Sequence, residues 1–167
     1  MRLSSILDPA SVVLDVGSGS KDDVLARLAA PIARARPDLD ASAVLAELVR
    51  REHESSTAIA DGIAIPHARP DTSAHRVTAT FGRSPAGVDF DSIDGLPTTL
   101  FVVLVSPVSE PELHVQWLSH VARVLSDPDT RRRLLDARAS SEILAILEAR
   151  EQAIDQAEAA PRAKAAR

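Results

Sequence analysis

The chain has 167 residues, a formal charge of -5 at pH 7 with neutral histidines, 45% hydrophobic residues and 26% charged residues. That length suits one domain with a continuous core, and the balance is that of a globular chain rather than a disordered one. The acidic charge, three Phe, one Trp and no Tyr argue against a nucleic-acid surface, and the lack of cysteine removes disulfides, thiol nucleophiles and cysteine-zinc sites.

Residues 1–8 lack the charged start and long apolar run of a signal peptide, so cytoplasm is the expected compartment. Residues 11–16 (SVVLDV) read as a short strand, followed by a Gly17-Ser18-Gly19-Ser20 turn. This turn lacks both the Lys-Ser/Thr ending of a nucleotide loop and the full dinucleotide glycine pattern. Ser20 caps a helix with Asp22 and Asp23 in its first turn and Val24, Leu25, Leu28 and Ile32 inside; Pro31 predicts a kink or an early end. Asp40 caps a second helix over residues 41–52.

Next come a turn at Asp61-Gly62 and a β-like run, Ile63-Ala64-Ile65, that stops at Pro66 and leaves His67 at a strand end. Residues 77–81 and 87–90 read as two strands paired through Ser84-Pro85-Ala86-Gly87. Residues 98–106 (TTLFVVLVS), nearly all apolar, read as a central strand covered on both faces. Ser109 and Glu112 have capping-box spacing before a helix with Trp117, Leu118, Val121 and Leu125 inward and His114 in its opening turns. Asp127-Pro128 starts a further helix through Leu135, with Arg131, Arg132 and Arg133 as a solvated face, and Ser140 caps a last one. Residues 151–167 read as a frayed helix or mobile tail, dispensable to the domain formed by residues 1–150. The expected fold is α/β, a mixed β-sheet with helices packed on its faces, in a single domain.

Of the five histidines, His53 and His75 read as solvated, and His120 sits six residues from His114, well apart around its helix. His67 and His114 remain. The run Gly62-Ile63-Ala64-Ile65-Pro66 lets backbone approach His67 closely. A neutral imidazole can attack phosphorus, given donors for the phosphate oxygens, and the first turn after Ser109 offers backbone N–H groups and a favourable dipole. No histidine pair has the helical His-Glu-x-x-His spacing, so a metal centre built from His67, His75 and His114 ranks low and neither metal nor cofactor is expected.

The residues Arg51-Glu52, Ser56-Thr57-Ala58-Ile59 and Gly62-Ile63-Ala64-Ile65-Pro66-His67-Ala68 resemble the phosphotransferase-system EIIA type-2 domain of the fructose, mannitol and nitrogen-regulatory class. A second match is the strand beginning at Leu100, then Pro107, His114 and the helix to Leu125. Ala58, Ala60 and Ala68 depart from the glycines of many members. The resemblance covers residues 1–150 and implies that His67 accepts a phosphoryl group from an HPr-type phosphocarrier, with His114 as a supporting histidine. Arg51 matches a family arginine, and Ser56 and Thr57 are expected either to donate to phosphate or to shape the turn. It further implies transfer to a IIB component of a sugar permease. The alternative is a nitrogen-regulatory module whose His67 phosphorylation switches binding to regulatory protein partners, as the opening Leu3-Ser4-Ser5-Ile6-Leu7-Asp8-Pro9 suggests.

Overall fold

The structure is a computed structural model that describes residues 1–70 and 76–165. The expected solvation of His75 lies outside the described residues. Two 3₁₀ turns, Leu3–Ser5 and Pro9–Ser11, lead into β1 (Val12–Val13), so only two residues of the expected first strand pair. Then follow α1 (Lys21–Ala35), α2 (Ala41–Glu54), β2 (Ile63–Ala64), β3 (His67–Ala68), β4 (Thr78–Val88), β5 (Thr98–Val105), α3 (Pro111–Leu125), α4 (Pro128–Asp136) and α5 (Ser140–Ala165). The sheet runs β1-β4-β5-β2, with β3 also on β5. Among the named strands, β4 and β5 pair antiparallel and the remaining pairs are parallel, so the sheet is mixed.

The centre is β5. Leu100, Val102 and Leu104 enter a core with Trp117, Val121, Leu134, Ile143 and Leu147 of α3, α4 and α5. Phe101, Val103 and Val105 enter a second core with Leu25, Leu28, Val44 and Leu48 of α1 and α2. Alternate residues of a strand point to opposite faces, which is why a continuous apolar run marks a strand covered on both sides.

Several local expectations give way to tertiary packing. The α1 helix runs through Pro31 to Ala35. A mid-helix proline costs about 3 kcal/mol, but Leu28 and Ile32 beside it are fully buried, and each such burial is worth roughly 1.5–3 kcal/mol. The Gly17–Ser20 turn is closed by the chain itself, because Arg27 Nη1 donates to the Val16 and Ser18 carbonyls at 2.7 Å each. Residues 78–88 form one long strand instead of a hairpin. Its two ends both pair with β5, and the register slips between Arg83 and Val88, where Pro85 lacks a donor for the ladder.

Helix ends also differ. Glu110, without a side-chain cap, precedes α3, so Ser109 and Glu112 form no capping box. Arg131 closes the C-terminus of α3 by donating to the Leu125 and Ser126 carbonyls rather than standing free in solvent. Ser140 is the first residue of α5 rather than its cap. The helix continues across Arg150, and Glu151 and Ile154 are buried.

Candidate functional site

The local fold around His67 starts at Asp61 and Gly62, both at positive φ (64° and 73°), which turn the chain into a tight hairpin with Ala58 opposite Ala64. The Gly62 carbonyl accepts from the Thr99 and Leu100 amides at 2.8 and 3.0 Å, and a Cβ on Gly62 would meet Thr99 Oγ1 at 3.0 Å. From there the segment climbs beside β5 in constant register, Ile63 opposite Leu100 and His67 opposite Leu104. Pro66 has no N–H and interrupts the ladder, but its carbonyl still accepts from Leu104 N at 2.9 Å. His67 is therefore held in a backbone frame beside Leu104, near the C-terminal end of the central strand.

That frame also sets the tautomer. His67 Nδ1 lies 2.8 Å from the Ile65 carbonyl, which can only accept, so Nδ1 carries the proton and Nε2 the lone pair. Arg51 Nε donates to Nε2 at 3.2 Å, and Arg51 Nη1 donates to Ser55 O at 2.8 Å. Burial, with the Arg51 charge adding to it, lowers the His67 pKa below the ordinary histidine value; the Ile65 hydrogen bond and the Glu52 charge oppose the shift. The fold thus favours the neutral imidazole, with the Nε2 lone pair beside a guanidinium.

His114 lies with its ring centroid 5.1 Å from that of His67. It is 6% exposed, and its Nδ1 meets Ser106 Oγ at 2.5 Å. Burial first, then the proximity of His67, Arg69 and Arg51, lowers its pKa to about 4. If the Ser106 hydroxyl donates to Nδ1, the remaining proton sits on Nε2 and is available to an acceptor. Arg51, His67 and His114 share a hollow of about 390 Å³ with Glu47, Arg50, Arg69 and Val108. Arg50 is neutralised by Glu47 and Glu54, whereas Arg51 and Arg69 form no ion pair among the described residues. The hollow thus presents unbalanced positive charge and N–H donors, the environment an anion needs.

Two expected support residues lie elsewhere. Ser56 Oγ donates to the Phe90 carbonyl at 2.6 Å, and Thr57 is buried with its amide and hydroxyl on Glu52 Oε2. Both hydroxyls are committed to shaping the turn after α2. Of the first turn of α3, Ser109 to Glu112 line a separate depression, and only His114 of that helix reaches the hollow with His67.

Arg69 and Ser106 escaped the sequence reading, and Glu52 entered it only as part of the motif, with no role given. Arg69 lies two residues after His67, the spacing that returns a side chain to the same face of a strand, and this signal was available. Ser106 follows β5 directly, and its N–H donates to Ala68 O at 3.1 Å, which brings it level with the residue after His67. Glu52, 2% exposed, binds Lys21 at 2.8 Å and both donors of Thr57, bracing the turn beside Arg51. Among the described residues no group of three or more His, Cys, Asp or Glu could hold a metal, and no helix is long and apolar enough to cross a membrane.

The structure is a single α/β domain that holds an imidazole with its lone pair on Nε2 in an arginine-lined hollow. The chain belongs to the phosphoenolpyruvate-dependent sugar phosphotransferase system EIIA 2 family, whose model matches residues 5–150. It is 39% identical over 137 residues to a nitrogen regulatory protein of Pseudomonas aeruginosa, covering 82% of this chain and 88% of that one. Among solved structures, the nitrogen regulatory protein IIA-Ntr of Neisseria meningitidis superposes with a TM-score of 0.79 at 31% identity, over 87% of this chain and 98% of that one. The fold is also that of the mannitol IIA enzyme in its complex with phosphorylated mannitol IIB of Escherichia coli, with a TM-score of 0.73 at 17% identity, over 86% and 97% of the two chains.

Proposed function

We propose that His67 accepts a phosphoryl group on Nε2 from the phosphohistidine of an HPr-type phosphocarrier and hands it to a IIB component of a sugar permease. The observation that carries this reading is the pairing of a carbonyl-fixed Nδ1–H with a lone pair on Nε2, which faces an arginine. In the step, the donor's P–N bond breaks as the Nε2–P bond forms, and the electron pair of the broken bond stays on the donor nitrogen. Nδ1 keeps its proton, held by Ile65 O. Arg51 exchanges its contact with Nε2 for the phosphoryl oxygens, and His114 adds a donor from the other side. Catalysis is then positioning and charge stabilisation with no metal or cofactor required. Transfer onward to IIB is supported by the fold shared with the mannitol IIA seen bound to its phosphorylated IIB.

A second reading is favoured by the relatives named nitrogen regulatory proteins, one of which this chain matches over 88% of its length. There the same phosphorylation alters a face recognised by regulatory proteins instead of feeding a permease. Incubation with phosphoenolpyruvate, the general phosphotransfer enzyme and HPr-type carriers should give one acid-labile phosphoryl adduct on His67. An adduct that a IIB component discharges supports the relay, and one that IIB components leave intact supports the regulatory reading. Absence of any adduct removes both.

A further inference from the structure

The phosphoryl group on His67 would carry roughly -1.5 to -2 charges, and the side chain best placed to answer it is one that now does something else. Arg69 Nη2 donates to the carbonyl of Val108 at 2.5 Å, tying the end of the His67 segment to the turn before α3. In that turn, Glu110 N–H donates to Pro107 O at 3.3 Å, a long bond, and Val108 is 45% exposed. Arg69 Nε is buried and has no hydrogen-bond partner among the described residues. The guanidinium lines the same hollow as His67, Arg51 and His114.

A buried N–H without an acceptor is costly, and a guanidinium gains far more from a phosphoryl oxygen than from a neutral carbonyl. Resting on the reading that His67 is phosphorylated, we propose that Arg69 is the reader of that state: it releases the Val108 carbonyl, turns its N–H groups onto the phosphoryl oxygens, and so frees the turn over residues 107–110. The charge on His67 is thereby converted into a change of backbone at an exposed apolar residue beside the hollow. A protein partner that packs on Val108 meets a different surface before and after transfer. The same device serves either function, since a carrier must release its donor and engage its acceptor, and a regulator must show two faces.

The test compares wild type, Arg69→Lys and Arg69→Gln by nitrogen-15 NMR, with and without the phosphoenolpyruvate-driven carrier system. In wild type, phosphorylation should shift the Ser109 amide, which shares a peptide unit with the Val108 carbonyl, and speed amide exchange at Glu110. In Arg69→Gln the two amides should already show those features without phosphate and change little on phosphorylation. The equilibrium between carrier and His67 should also move about tenfold toward the carrier, the size expected for a lost charge-assisted bond. Arg69→Lys keeps the charge and should recover most of the phosphorylated fraction while losing part of the Ser109 response. Normal phosphorylation of wild type with unmoved Ser109 and Glu110 amides overturns the role of Arg69 and leaves His67 as the acceptor. No phosphorylation of wild type overturns the acceptor assignment itself.

Discussion

The α3 helix carries two buried imidazoles six residues apart, and their surroundings are opposite. His114 faces Ser106 Oγ, His67 and two arginines, and no carboxylate touches it among the described residues. His120 meets Glu151 of α5 at 2.6 Å, and the same carboxylate accepts from the Leu3 and Ser4 amides and the Ser4 hydroxyl. Burial opposes ionisation of Glu151, but the donors of His120, Ser4 and Leu3 outweigh it and hold its pKa below the ordinary glutamate value. One histidine is kept neutral among cations, a setting suited to an arriving anion. The other is spent as a staple between α3, α5 and the N-terminal turn. The same residue type on the same helix does different work because of what the neighbouring elements bring to it.

Variants on both sides sharpen or break that contrast. His67→Ala should abolish the acid-labile adduct and leave the melting temperature nearly unchanged, since the ring is only half-buried at the end of the sheet; undiminished phosphorylation of the variant would move the site elsewhere. On the stapling side, Glu151→Ala leaves His120 and three N-terminal donors unpaired. It should cost about 3–5 kcal/mol, as breaking a buried pair does, and lower the melting temperature by about 10 °C at roughly 2–4 °C per kcal/mol. Phosphoryl acceptance by the folded fraction should stay near wild type. Truncation after Ala149 also removes Ile154 from the core and should cost at least as much, and a truncated chain as stable as the parent would support the reading of residues 151–167 as a dispensable tail.

For His114 the expected effect is kinetic. Replacement by Ala should slow His67 phosphorylation and its reversal about a hundredfold, the usual cost of removing one donor to a developing anion. His114→Gln retains an amide N–H and should lie between the two. Equal rates in all three proteins would take His114 out of the site.

The remaining effect is in pH dependence. The His114 pKa is lowered to about 4 in the fold, against about 6.5 in the unfolded chain, so below 6.5 the unfolded state binds the extra proton. Stability from this group is therefore complete above pH 6.5 and drains away as pH falls to about 4. His114→Gln should flatten denaturant-unfolding free energies across that window, while the loss caused by protonating Glu151 at lower pH persists. A variant with the parent's slope would show that another group carries the titration. Because the His67 pKa is lowered, the rate of phosphoryl acceptance should fall off at a lower pH than an ordinary histidine would give.

What could be read from residues alone was whatever short-range chemistry decides. Asp40 caps α2, and Ser20 follows the same logic at the start of α1, where it forms a reciprocal capping box with Asp23. The apolar run that became β5 and the Asp61-Gly62 turn were equally legible, because periodicity and positive φ act within a few residues, whereas the run expected to stop at Pro66 resumes at His67 in the same register on β5. The family motif brought Arg51, His67 and His114 to attention together, and these three do meet in one hollow. Ser56 and Thr57 belong to the same motif, yet their hydroxyls are captured by Phe90 O and Glu52.

Capture of that kind has no local signature. Whether a hydroxyl, a guanidinium or an imidazole is free depends on which acceptor a distant element delivers, and hydrogen bonds are decided over a few tenths of an ångström. Tertiary structure alone paired Glu151 with His120 across 31 residues, carried α1 through Pro31 and set Arg69 on Val108. The sequence by itself determined the central strand, the starts of α1, α2 and α4 and the place of the imidazole beside Pro66, because those follow from side-chain alternation and backbone donors along the chain. Only the packing of α2 and α3 against that strand decided which charges surround the imidazole, because burial and charge act through space rather than along the chain.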